Sequence, residues 1–489
     1  MLTFRMPPRR AGWGTALVML TAARVAAGQE PLTLQQAIER AQRSGLQAQA
    51  AQAARDAARQ RDRAFGARLL PQLSLQGDVP TYTRSIIPVQ QDDGTTLFRA
   101  LQETNSSLNL VVQQPIPLTG GTLEFTSRLA QVKRSGSQAS ELWSSTPFSV
   151  QLNQPILRSN ALGWNAAIQD LAAEVAERQY LEAREAIALN VTNAFFDLYA
   201  AQLSLRNAEA NAAVNDTLFR LNQGRYEVGK IAENDLLQSE LALLRARSGL
   251  DGARLEHDRA LAALRLALNM GPDEPLAITV TTDVPNVVAD TAVAVAQALR
   301  NRAQMVNLEL QDTQARRQIS EAKFNNGIGA TVNATYGFNA TGNEMNLAYR
   351  DLQEAQRFTL SLEMPIFQWG ARSADVQAAE LERTRVTNEA RATREQVAQD
   401  AHFAALQLSQ AQRQLTIAAK ADTVAAKRYE VAYNRYLIGV IDVDQLYLAQ
   451  NEKDQALLQY VQSLRAYWQA YYRLRQVTLY DFERGEPIR

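Results

Sequence analysis

Hydrophobic positions along this chain switch between two periods. In four short stretches they alternate with polar ones. Leu108, Leu110 and Val112 interleave with Asn109 and Gln113, and Phe148, Val150 and Leu152 with Ser149, Gln151 and Asn153. Val332, Ala334, Tyr336 and Phe338 interleave with Asn333, Thr335 and Gly337, and Phe358, Leu360, Leu362 and Met364 with Thr359, Ser361 and Glu363. A period of two predicts strands with one apolar and one polar face. Elsewhere the spacing is three and four. Leu198, Ala201, Leu205, Ala208, Ala212 and Phe219 form one seam, and Leu408, Ala411, Leu415, Ala418, Ala425, Tyr429, Ala432 and Tyr436 form another. Such narrow, Ala-rich stripes predict long helices packed closely side by side. The stretch from Asn165 to Tyr226 alone would run about 90 Å at 1.5 Å per residue.

The pattern occurs twice. Phe148–Ile156 resembles Phe358–Ile366 at a shift of 210 residues, with Pro155 and Pro365 in matching places. Arg225-Tyr226-Glu-Val-Gly229-Lys-Ile231 resembles Arg435-Tyr436-Leu-Ile-Gly439-Val-Ile441 at the same shift. Gln36-Ala37-Ile38 aligns with Gln297-Ala298-Leu299 at a shift of 261, leaving the first copy about 51 residues longer. Each copy is expected to open on a helix, Leu34–Arg68 or Val293–Lys323. Strands follow, then a long helical hairpin turning at Gly229 or Gly439, where glycine can take the left-handed conformation that ends a helix. The expected organisation is repeat 1 over 28–270, a linker over 271–292 and repeat 2 over 293–489.

Composition narrows the possible functions. Lys and Arg together number 51, as do Asp and Glu, so no basic excess marks a nucleic-acid surface. There is no cysteine, which excludes disulfides, thiolate metal sites and N-terminal Cys lipidation. The two histidines, His257 and His402, fall in helical runs, and no Gly-rich phosphate loop, metal cluster or nucleophile elbow is present. Neither an enzyme nor a cofactor protein is expected. Arg5, Arg9 and Arg10, the apolar stretch 16–23 and the small residues Val25-Ala26-Ala27 read as a secretory signal over 1–27.

Four strand-like segments lie in the first copy and two in the second. A soluble sandwich needs about seven strands, and a membrane barrel about eight. Export, barrel-type alternation and too few strands together predict a barrel shared by several chains. Carboxylates flank both turns, namely Glu233 and Asp235 in the first and Asp442 and Asp444 in the second. Helix N-termini favour acids, which accounts for them structurally. At the tip of a symmetric tube they would also form a cation-attracting ring.

Strands, a Pro-Ile exit and a hairpin turning at Tyr-x-x-Gly, in that order and twice, resemble the TolC-like outer-membrane efflux proteins over nearly the whole mature chain. The resemblance implies a mainly α fold, with a periplasmic α-helical coiled-coil barrel continuous with a twelve-stranded transmembrane β-barrel in outer-membrane lipid. Three protomers would share it. A homotrimer of this type is a passive exit duct in tripartite efflux or type I secretion. Its partners are a periplasmic adaptor and an inner-membrane transporter of RND, ABC or MFS type. By the same resemblance Asp235 and Tyr436 match aperture positions, Asp442 and Asp444 lie slightly before the prototype's second-hairpin acids, and Ile441 replaces an expected basic residue. The alternative is a periplasmic coiled-coil adaptor, which usually carries one hairpin rather than two.

Overall fold

The computed structural model describes residues 31–135, 139–281, 284–438, 440–441 and 443–488. The expected signal segment, Gly439 and Asp442 lie outside the described residues. Helix α1 (Leu34–Ser44) begins at Thr33, whose hydroxyl accepts a bond from the Gln36 amide while the Gln36 side chain caps the Thr33 amide in return. It stops at Gly45, and α2 (Leu46–Arg68) starts immediately after. In the second half, α5 (Thr291–Asn301) and α6 (Ala303–Asn325) break in the same way at Arg302. Gly45 and Arg302 both have extended backbone, with ψ of 146° and 140°. Each expected opening helix is therefore two.

This geometry also corrects the sequence alignment. The paired helices begin at 34 and 291, and at 46 and 303, a shift of 257 rather than 261. Ala37 corresponds to Ala294 and Ala41 to Ala298, and all four are completely buried. An error of four residues is about one helical turn, so it preserves the buried face and is invisible to periodicity.

Strands β1 (Gln72–Gln90), β2 (Thr96–Ile116), β3 (Gly121–Ser135), β4 (Ser140–Ile156), β5 (Gly329–Gly342) and β6 (Gln353–Glu363) form one antiparallel sheet in sequence order. Four precede the first long hairpin and two precede the second, as the alternation predicted. The register keeps each face intact from β1 to β5, and on β6 the polar Gln356 stands opposite Tyr336. An apolar row runs Leu73, Val112, Phe125, Val150, Tyr336, and the adjacent row on the opposite face runs Gln72, Gln113, Glu124, Gln151, Thr335. Among the described residues nothing covers the apolar face: Leu73, Leu75, Phe358, Leu360 and Leu362 are 59–72% exposed.

Below the sheet stand α3 (Ala161–Glu227), α4 (Glu233–Ala267), α7 (Ala371–Leu437) and α8 (Val443–Thr478). α3 and α7 each have 67 residues, about 100 Å at 1.5 Å per residue. α4 and α8, with 35 and 36 residues, pair with about half of the length of α3 and α7 respectively, and α2 and α6 also pack on the long helices. The main core lies near their middle. Ile187, Val191, Phe195, Phe196 and Leu198 of α3 meet Ala404, Ala405 and Leu408 of α7 and Leu464, Tyr467 and Leu474 of α8 there. α1 packs onto it, as do Val287 and Ala289 of the segment joining the halves. The C-terminal pair β7 (Tyr480–Asp481) and β8 (Glu486–Pro487) closes against the end of α8. Arg475 ties this closure together. Its guanidinium donates to Glu185 of α3 at 2.9 Å and to Asp481 at 2.6 Å. Among the described residues no helix is long and apolar enough to cross a membrane.

Candidate aperture at the hairpin turns

The first hairpin turns over residues 228–232. Gly229 has φ of +71°, with open space where a Cβ would stand. Its amide bonds the Tyr226 carbonyl and the Lys230 amide bonds the Arg225 carbonyl, both at 2.8 Å. This is the paired closure that satisfies the last carbonyls of a helix ending in a left-handed residue. In the second hairpin the Val440 amide bonds the Arg435 carbonyl at 3.0 Å, the equivalent of the Lys230 bond. Gly439 is outside the described residues, but the bond that spans it has the same form.

Asp235 is exposed in the first turn of α4 beside Glu233, and Asp444 is exposed in the first turn of α8. Both stand where the helix N-terminus favours a negative charge. Asp442 lies outside the described residues, as does the side chain of Tyr436, whose backbone belongs to the last turn of α7. Thus Glu233 and Asp235 at the first tip and Asp444 at the second are exposed, and among the described residues none of the turn carboxylates is buried. At the first tip Glu227, Glu233 and Asp235 stand with Arg225 and Lys230, a slight negative balance that can attract cations.

Contacts above the tips were not anticipated. A ladder of polar bonds joins α3 to α8. The Tyr447 hydroxyl donates to Asn215 Oδ1 at 3.3 Å, Gln450 to Asn211 at 2.6 Å, Arg465 to Asp197 at 2.5 Å and Gln469 to Asn193 at 2.6 Å. Asn215 is buried. The ladder holds the two hairpins of one chain against each other down to the tip. The recurrence of Asn and Gln at seam-facing positions of an Ala-rich helix was the available signal.

At the other end the strands run into the helices. Pro155 pairs with Thr331 at the end of β4, and Leu157 turns the chain with φ of +57°. Asn160 then caps α3, accepting from the Gly163 amide at 3.0 Å. Pro365 lies just past β6, where Ile366, Phe367 and Trp369 are 68–94% exposed. Arg158, another residue the sequence did not single out, bonds the Asn325 carbonyl at the end of α6 and the Glu363 carboxylate at the end of β6. It locks the two exits to each other.

The family model for outer membrane efflux proteins matches residues 33–270, from the first cap to the end of α4. Those residues are similar to outer membrane efflux proteins. The chain as a whole has the fold of solved outer-membrane channels. The Campylobacter jejuni CmeC outer membrane channel superposes with a TM-score of 0.66 at 15% identity, covering 93% of this chain and 87% of that one. The Vibrio cholerae outer membrane protein VceC gives 0.64 at 16% identity, covering 93% and 97%. The open state of the Neisseria gonorrhoeae MtrE outer membrane channel gives 0.61 at 14% identity, covering 91% and 88%. No curated protein matches the chain. At these identities the likeness shows the fold, and it extends through both halves of the chain.

Proposed function

We propose that this chain is one subunit of an outer-membrane exit duct, a homotrimer that passively conducts substrates delivered by an inner-membrane transporter through a periplasmic adaptor. The reading rests on one juxtaposition. A sheet whose apolar face is uncovered is continuous with helical hairpins about 100 Å long. Such helices bridge an aqueous gap, and such a sheet face suits lipid. A short helix pair, then strands, then a long helical hairpin occur in that order in both halves, with four strands in the first and two in the second, which supports a tandem duplication with a hairpin per copy.

Three further features fit assembly in a membrane. Six strands are too few to close a barrel alone, so β1 and β6 must find partners in other copies. On α7, Ile417, Val424 and Val431, followed by Ile438 just past its end, recur every seven residues and are 54–75% exposed, a stripe suited to a neighbouring helix. Phe367 and Trp369 pack edge to face at 4.3 Å where β6 leaves the sheet, the position of an interfacial aromatic girdle. Repeated around a trimer, Asp235, Asp442 and Asp444 form the aperture ring, with Tyr436 beside them.

Purified protein added to planar bilayers tests this directly. It should run as a heat-modifiable trimer and insert as long-lived, uniform conductance steps. Recovery only as a soluble periplasmic monomer without conductance would refute the duct and favour the adaptor.

A further inference from the structure

Four of the six strands connect to helices: α2 leads into β1, β4 into α3, α6 into β5 and β6 into α7. β2 and β3 connect only to strands, turning back on each other at 117–120. The resemblance implied a twelve-stranded barrel, four strands per chain. This chain has six. Resting on the duct reading above, we propose that β2 and β3 are full staves of the membrane wall, so that three chains close an eighteen-stranded barrel.

Two independent observations place the extra hairpin in the wall. The first is its lower turn, which is fastened at the level where strands become helices. Asn160, the α3 cap, donates to the Pro117 carbonyl at 2.7 Å. Gln154 donates to the Thr119 carbonyl at 3.0 Å and accepts from the Thr119 hydroxyl at 2.7 Å. On the other flank Gln114 donates to the Leu69 carbonyl at the end of α2, at 2.8 Å. Gly120 makes this fit possible. Its φ is +75°, and a Cβ there would stand 2.9 Å from Asn160 Oδ1.

The second is the distribution of polarity. Gln113, Glu124, Asn109 and Arg128 of β2 and β3 share the polar face with Gln72 and Gln151 of the flanking strands. Displaced outside a barrel, the hairpin would present that polar face to lipid. A single Arg at the bilayer midplane costs about 2–4 kcal/mol there. Within the wall the same residues face water, while Leu108, Leu110 and Phe125 face lipid.

The size consequence follows from strand spacing. With strands about 4.8 Å apart and tilted about 40°, twelve give a backbone diameter of about 24 Å and eighteen about 36 Å. The wall would then enclose roughly twice the cross-section.

Cryo-electron microscopy of the full chain in lipid nanodiscs tests this by counting strands. Eighteen strands around three chains, with β1 of each protomer beside β6 of the next, is the expected result. Twelve strands around three chains would overturn the inference and leave the duct reading standing. A twelve-stranded barrel of two chains would overturn the inference together with the trimer, and particles without a barrel would overturn the duct itself. Deleting residues 96–135 lets β1 run antiparallel into β4. In bilayers the largest polyethylene glycol that enters from the strand side should then shrink by about one third in diameter. An unchanged cut-off in a folded deletion variant would show that the hairpin never formed part of the wall.

Discussion

Replacing Arg475 by Ala tests what holds the middle of the molecule. The guanidinium is mostly buried and answers two carboxylates. Glu185, on α3, is 3% exposed; Asp481 follows α8. Burial disfavours the charge on Arg475, but the bonds and field of Glu185 outweigh it and raise its pKa. Removing the cation leaves Glu185 buried without a counter-charge, which costs about 3–5 kcal/mol. Asp481 suffers less, because the Glu483 and Arg484 amides also bond it, at 3.0 and 3.1 Å. The cost falls on the contact between α3, α8 and the C-terminal strand pair, so it should appear as local opening. Hydrogen exchange of the amides in 471–488 should accelerate by about a hundred- to several-thousand-fold, since each 1.4 kcal/mol is a factor of ten. Glu185→Leu combined with Arg475→Met should recover most of the protection, because an apolar pair of similar volume removes both charges. Exchange within threefold of the parent in Arg475→Ala, or a double variant no better than the single, would refute this account. Acid provides a second check. Burial raises the Asp481 pKa, but the Arg475 charge and the amide bonds outweigh it and hold the value below the usual carboxylate range. A carboxylate depressed in the folded state contributes stability above its unfolded pKa, near 4, and loses it as pH falls through the folded value. Opening of 471–488 should therefore increase only below about pH 4, and Asp481→Asn should flatten that dependence.

The remaining predictions concern the tips. Gly229→Val should destabilise the first turn by about 1–2 kcal/mol, read as faster exchange at 226–236, because only the φ of +71° is costly where space is open. Gly229→Asn should cost clearly less, and equal effects would point to packing instead. Asp442→Ala with Asp444→Ala, and separately Asp235→Ala, should weaken block by multivalent cations in planar bilayers; unchanged block in the combined variant would remove these acids from the aperture. Asn211→Ala with Asn215→Ala breaks the two lowest rungs between α3 and α8 and should raise open-state conductance, with no change in melting of the central core.

Much of this architecture was legible because two periodicities are hard to confuse over long stretches. Alternation at 108–112 and 358–364 located β2 and β6, and the matching Tyr-x-x-Gly blocks located both hairpin ends. The helix breaks at Gly45 and Arg302 were not legible, because each needs only one extended residue and Arg302 carries no breaker signal. The alignment of α1 with α5 slipped by a turn for the reason that makes helices readable at all: a face repeats. At the tips the acids could be named but not assigned, since a helix N-terminus and a cation ring ask for the same residue. The ladder of Asn193, Asn211 and Asn215 was missed because a polar residue in a helix reads as surface until its partner, hundreds of residues away, is known. Arg158 and Arg475 were missed likewise: each bonds groups far from it in sequence.

The position of the core gives the long helices a mechanical meaning. α3 is gripped by the core as far as Leu198 and then continues to Glu227 without a break. That portion, packed against α4 and bonded to α8 through Asn211 and Asn215, moves with its hairpins as a lever of about 45 Å at 1.5 Å per residue. A rotation of about 5° at its pivot would carry the tip sideways by about 4 Å, roughly a side chain's width. Small adjustments around Phe195 and Phe196 are thus amplified into displacements large enough to widen a constriction, with every turn of the helix intact.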